Sequence, residues 1–224
     1  MLLNILTPKI CELCGCELIA GERTICTACL TSISPTGLHR EADNALRARL
    51  PRTAPIATVG AFAFYTHDAP IATLIRRAKY NNRPDIVERL ARIYTQQLIA
   101  DKAFSDIDLL QAVPMHRLKR LRRGYNQAQV IAATISKESG IPTADALRAI
   151  KGHKSQTKQI AAERINNVNG IFALTKPEQI HNRHIAIIDD ILTTGATLSE
   201  AVNVLMQAEP AKISIFTLAS TPVC

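Results

Sequence analysis

The 224 residues are 47% hydrophobic and 21% charged, enough apolar material for one full core and a small satellite unit. An excess of 27 Lys and Arg over 19 Asp and Glu leaves a formal charge of +8, which favours a polyanionic ligand such as nucleic acid or a highly phosphorylated metabolite; 4% aromatics and no Trp argue against a broad base-stacking platform. No apolar run approaches the roughly 18 to 20 residues that cross a bilayer, and the stretch from Met1 to Leu6 lacks the basic leader and length of a signal peptide, so a soluble cytoplasmic protein without membrane insertion is expected.

Five of the six cysteines fall between residues 11 and 29, as Cys11-x-x-Cys14-x-Cys16 and Cys26-x-x-Cys29. In a reducing compartment that density points to a metal rather than to disulfides. Each C-x-x-C turn sets two thiolates on one side of a knuckle, and two knuckles offer four sulfurs to a tetrahedral Zn²⁺ at about 2.3 Å. Cys11, Cys14, Cys26 and Cys29 form the best set, with Gly15 and Gly21 at the sharp turns. Cys16 either substitutes for Cys14 or is a free thiol, and Cys224 reads as uninvolved. A segment this short buries too little to fold alone, so the metal would supply most of its stability.

Residues 36 to 55 combine Gly37, Pro51, Pro55 and mixed charges with weak periodicity, reading as a linker or loose helix. The boundary near residue 50 divides a zinc-binding knuckle and linker, 1–50, from a main domain, 51–224. Ile56 to Tyr65 reads as a strand, and Asp68 to Tyr80 as a helix capped by its Asp. Pro84 opens a second helix, with Ile86, Val87, Leu90, Ile93, Tyr94 and Leu98 on one face. Leu109 to Val113 is a buried strand feeding a loop at Pro114, and Gly124 to Ser139 a helix burying Tyr125, Ala128, Ile131, Ala132 and Ile135. Ile185 to Ile188 and Lys212 to Leu218 are strands, separated by a helix from about Thr197 to Gln207. Strands alternating with helices predict an α/β fold with a parallel sheet and right-handed crossovers.

Ile185-Ala186-Ile187-Ile188 runs straight into Asp189-Asp190-Ile191-Leu192-Thr193-Thr194-Gly195-Ala196-Thr197. A continuously apolar strand suits a sheet covered on both faces, and the turn into a helix at its carboxyl end exposes backbone N–H groups and the helix dipole to an anion. Thr193, Thr194 and Thr197 add hydroxyls, and Gly195 lets the backbone approach a phosphate. Two adjacent carboxylates beside such a cradle suit the vicinal hydroxyls of a ribose, or Mg²⁺.

That pattern resembles the signature of the type I phosphoribosyltransferases. The resemblance implies a sheet flanked by helices, 5-phosphoribosyl-1-pyrophosphate as ligand with Mg²⁺, Asp189 and Asp190 on the ribose as the candidate catalytic pair, and Thr193, Thr194, Gly195, Ala196 and Thr197 around the 5-phosphate. Val113-Pro114-Met115-His116-Arg117, Arg123-Gly124-Tyr125-Asn126-Gln127-Ala128, Ala78-Lys79-Tyr80, and Gln156 to Phe172 with Arg164, Asn167 and Gly170 resemble the ComF/GntX family, which joins a cysteine knuckle to a phosphoribosyltransferase-like domain. Tyr125 departs from the usual phenylalanine, and Cys16 is extra.

Arg117, Lys119, Arg120, Arg122 and Arg123 crowd into seven residues. The corresponding loop of the resembled fold grips pyrophosphate, which places Pro114, Met115, His116, Arg117 and Arg123 at the substrate. Lys119, Arg120 and Arg122 are left as nucleic-acid candidates, because one stretch cannot aim every cation inward. Lys151 to Arg164 matches the position of the mobile loop that closes over substrate. Transfer of a phosphoribosyl group to an acceptor that the sequence does not name is one expectation. A single-stranded DNA-binding competence factor, working with other competence proteins, and a phosphosugar sensor without catalysis are the alternatives.

Overall fold

The computed structural model describes residues 8–150 and 170–223. The expected closing loop, Lys151 to Arg164, and Cys224 lie outside the described residues.

Five strands form a wholly parallel sheet: β1 (Ile56–Phe64), β2 (Leu109–Ala112), β3 (Thr143–Ala144), β6 (His184–Leu192) and β7 (Lys212–Ser220), in the order β1-β7-β6-β2-β3. A second, antiparallel pair, β4 (Leu147–Ala149) with β5 (Phe172–Leu174), stands beside it. These two short strands and β3 were not expected, since two or three residues carry no readable period. The helices are α1 (Thr27–Thr31), α2 (Pro70–Tyr80), α3 (Pro84–Ala100), α4 (Arg117–Arg123), α5 (Gln127–Ser139) and α6 (Ala196–Leu205). Among the described residues no helix is long and apolar enough to cross a membrane.

Alternation along β6 explains its unbroken apolar run. Ala186 and Ile188 pack with α2, α3 and α5, whereas Ile185 and Ile187 pack with α6 and the β4–β5 side. Successive side chains of a strand point to opposite faces, so a strand covered on both must be apolar throughout.

Several local expectations change. Asp68 does not cap α2: Ala69 holds that position, Pro70 opens the helix, and Asp68 is exposed beside His67. The stretch after Pro114 is a helix, α4, whose first turn is capped by His116 accepting from the Leu118 amide at 3.3 Å. The next helix starts at Gln127 rather than at Gly124, with Asn126 as its cap. Within the expected linker, 3₁₀ turns at Leu38–Arg40 and Ala45–Arg49 bury Leu46, and Leu50 joins it in the core facing α6.

Candidate functional site

The chain order places a crevice. From β2 it moves outward to β3, and from β6 it moves the opposite way to β7, while α5 and α6 cover opposite faces. Loops leaving the carboxyl ends of β2 and β6 therefore diverge, the arrangement in which open α/β sheets bind ligands.

A cleft of about 240 Å³ opens there, lined by Asp189, Asp190, Thr193 and Thr197 from the β6–α6 segment, by Pro114, Met115, His116, Lys119 and Arg123 from the β2–α5 segment, and by Lys79 and Asn126. The strand does not end at Ile188 as expected. It continues to Leu192 and carries both acids, which alternation sends to opposite sides. Asp190, on the side of α2, meets the Lys79 ammonium at 2.6 Å. Asp189 accepts its neighbour's amide at 2.8 Å, and burial together with the Asp190 charge pushes its carboxyl up to about 7. Lys119 is an exposed residue yet lines the cleft; desolvation of its ammonium, and then Arg123, lower its pKa against the pull of the two acids.

Of the residues expected around a phosphate, Thr193 and Thr197 line this cleft, whereas Thr194, Gly195 and Ala196 do not. Gly195 caps α6 with φ of 82°, and a Cβ there would lie 2.2 Å from the Arg49 carbonyl oxygen. Glycine at this position permits the close approach of residue 49. Arg49 ties the turn further: its guanidinium donates to the Thr221 carbonyl at 2.9 Å and to that of Pro222 at 2.7 Å, and its own carbonyl accepts from the Ser199 hydroxyl at 3.2 Å.

The basic residues divide. Lys119 and Arg123 face the acid cleft, Arg117 and Arg120 line a neighbouring cavity of about 640 Å³, and Arg122 is exposed and lines neither. Lys119 and Arg120, set aside as nucleic-acid candidates, thus border cavities.

Near the other end of the chain, the sulfurs of Cys11, Cys14, Cys26 and Cys29 lie within 4.8 Å of one another, with Cys14 and Cys26 at 3.8 Å. Sulfurs at about 2.3 Å from one tetrahedral ion stand about 3.8 Å apart, so the set fits Zn²⁺. Burial alone would raise the Cys11 thiol, but amides of Cys26, Cys14 and Leu13 directed at its sulfur outweigh that and hold it at about 6, ready to bind a cation as thiolate. Cys29 is pushed up by burial and by the surrounding thiols. Cys16 is exposed and outside the set, so Cys14 is the residue that joins it.

The phosphoribosyl transferase domain family matches residues 121–224. Competence protein F of Haemophilus influenzae is 30% identical over 155 residues, which cover 67% of this chain and 68% of that protein. The chain belongs to the ComF family. DNA utilization protein YhgH of Escherichia coli K12 is 24% identical over 230 residues, 96% of this chain and 98% of that relative. A purine phosphoribosyltransferase from Pyrococcus horikoshii Ot3 superposes at a TM-score of 0.37 with 17% identity, covering 62% of this chain and 77% of that one.

Within this ComF chain two residues that line the cleft, and one that braces the turn after β6, escaped the sequence reading. Lys79 stood in a family motif without a role, and only the fold sets it against Asp190. Asn126 lines both cavities, donates to the Val113 carbonyl at 3.0 Å and caps α5. Arg49, 143 residues from Leu192, left no local signal. The unusual Tyr125 does have a reason: its hydroxyl donates to the Ala78 carbonyl at 2.8 Å, beside Lys79.

Proposed function

We propose that the cleft at the ends of β2 and β6 binds 5-phosphoribosyl-1-pyrophosphate with Mg²⁺ and supports transfer of its phosphoribosyl group. The observation that carries this reading is the convergence of Asp189 and Asp190 with Lys79, Lys119, Arg123 and Thr197 around one cleft at the switch point of the sheet. Asp189 and Asp190 take the ribose hydroxyls, Thr193 and Thr197 stand at the 5-phosphate beside the start of α6, and Lys119 and Arg123 face the pyrophosphate. In the transfer, the bond from C1 to pyrophosphate oxygen breaks and its electron pair leaves with pyrophosphate, a lone pair of the acceptor closes on C1, and the acceptor loses its proton. Lys119 and Arg123 stabilise the departing charge, and Asp189, with its carboxyl near neutral pH, is the candidate base. The hard oxygen donors of the acid pair fit Mg²⁺, which when bound supplies further charge neutralisation on the leaving group.

The cysteine cluster, in this reading, holds one structural Zn²⁺ in a unit of residues 1–50, ahead of a phosphoribosyltransferase-like domain at 51–224, and reduced thiolate ligands suit the cytoplasm. A second reading takes its support from the names of the relatives, a DNA utilization protein and a competence protein, together with exposed Arg122, Leu118 and Leu121 on α4. That face contacts a single strand of DNA, alone or with other competence proteins, while the cleft only senses the phosphosugar.

Titration calorimetry with 5-phosphoribosyl-1-pyrophosphate and Mg²⁺ is expected to give heat and a thermal shift, and their joint absence overturns the first reading. Pyrophosphate release over a panel of bases, amines and nucleic acids then separates enzyme from sensor.

A further inference from the structure

The 640 Å³ cavity beside the acid cleft shares the wall formed by Pro114, Met115, His116, Asn126 and Ala149 with that cleft. Its size falls in the range of roughly 300–1,000 Å³ usual for small-molecule sites. Its charge is lopsided. Arg117 and Arg120 approach from α4, Arg148 from β4 and Lys176 from the segment after β5, against the single carboxylate of Asp145. Asp145 is partly matched already, by Lys176 at 3.4 Å.

Among the described residues, Arg117, Arg120 and Arg148 make no side-chain hydrogen bond or ion pair, whereas Arg77 and Arg83 meet Glu12, and Arg92 meets Glu88 and Glu138. Three unmatched guanidiniums drawn from two separate elements onto one concavity form a site for an anion, since each presents paired N–H donors suited to phosphate oxygens. Among the described residues the cavity is lined by no Phe, Tyr or Trp, so its selectivity rests chiefly on charge and on the amides of Asn126 and Gln129.

We propose that this cavity is the second-substrate site and that its occupant is a small phosphate-bearing molecule of about mononucleotide size, not a neutral base. The proposal rests on the phosphoribosyl reading of the neighbouring cleft for the word substrate, but its binding claim does not. A phosphate held by Arg148, Arg117 and Arg120 leaves the rest of the molecule against the wall shared with the acid cleft, where an acceptor must lie to reach the sugar.

The test is calorimetry of the full chain with deoxyadenosine monophosphate and with deoxyadenosine, each with and without saturating 5-phosphoribosyl-1-pyrophosphate and Mg²⁺. The monophosphate is expected to bind at least tenfold tighter than the nucleoside. Arg148→Ala and Lys176→Ala, both at solvent-accessible positions outside the acid cleft, are expected to cut that preference below threefold while leaving the affinity for 5-phosphoribosyl-1-pyrophosphate within twofold. Equal binding of the two compounds, or a preference that survives both substitutions, overturns the proposal. So does binding that requires an oligonucleotide of several residues and fails with the monophosphate, because the arginines then serve a nucleic-acid backbone. If 5-phosphoribosyl-1-pyrophosphate fails to bind while the charge preference and its loss in the variants persist, the reading of the acid cleft falls and the anion site stands.

Discussion

The cysteine unit and the acid cleft solve the same problem, bringing charged groups together, by opposite means. In the first, four ligands within 19 residues are gathered by two local turns, and the little apolar surface present, Cys11, Ile25 and Cys26, leans on α2 and α3. Glu12 reaching Arg77 and Arg83, and the Thr24 hydroxyl donating to Asp85 at 3.2 Å, fasten it there. In the second, Lys79, Lys119, Arg123, Asp189 and Asp190 come from three distant stretches, and a sheet buried on both faces holds them in place. Where sequence neighbours share a site, a bound metal would supply the stability; where the core supplies it, the site can accommodate groups that are themselves unfavourable, such as a half-buried carboxyl near pH 7.

The largest effect should come from the metal. Cys11→Ser or a strong zinc chelator is expected to remove about one zinc per chain, seen by native mass spectrometry, and to abolish a binding contribution of order 10 kcal/mol. Hydrogen exchange should then rise across residues 8–33 while the amides of β6 and β7 stay protected. Loss of protection throughout would show that the two regions are one cooperative unit and erase the contrast.

Gly195→Ala tests how firmly the core grips the turn. The added Cβ meets the Arg49 carbonyl and the backbone is already left-handed, so a cost of about 2–4 kcal/mol in denaturant unfolding is expected. A neutral result would mean that residue 49 moves freely away from the turn.

Asp189→Asn should act in the opposite direction. A carboxyl raised from 3.8 to about 7 on folding makes the native state bind the proton more tightly, so stability falls as pH rises from about 4 to 7 and then levels. The variant should lose that slope and gain about 1–3 kcal/mol at pH 8, with no gain at pH 4, while its affinity for 5-phosphoribosyl-1-pyrophosphate drops at least tenfold. An unchanged pH profile would remove Asp189 as the strained member of the pair.

The smallest change is expected for Tyr125→Phe, which gives up one hydrogen bond to Ala78 and should cost about 1 kcal/mol, with a modest weakening of ligand binding through Lys79. A loss confined to stability, with affinity untouched, would show that the hydroxyl supports the helix and not the cleft.

The sequence by itself determined the parallel α/β architecture, because an apolar run of Ile185 to Ile188 between helical patterns has few other uses, and it determined the four-cysteine set, because ligands spaced for a knuckle are local. It also singled out the acid pair and the basic stretch. Only the tertiary structure decided that Asp189 and Asp190 take different sides of the strand, that Lys79 faces Asp190, that Gly195 yields space to Arg49, and that the basic stretch is a helix dividing its cations between two cavities. The physical reason is range: turn geometry and periodicity act over a few residues and can be read along the chain, whereas the partner of a buried charge is chosen by packing between segments far apart in sequence.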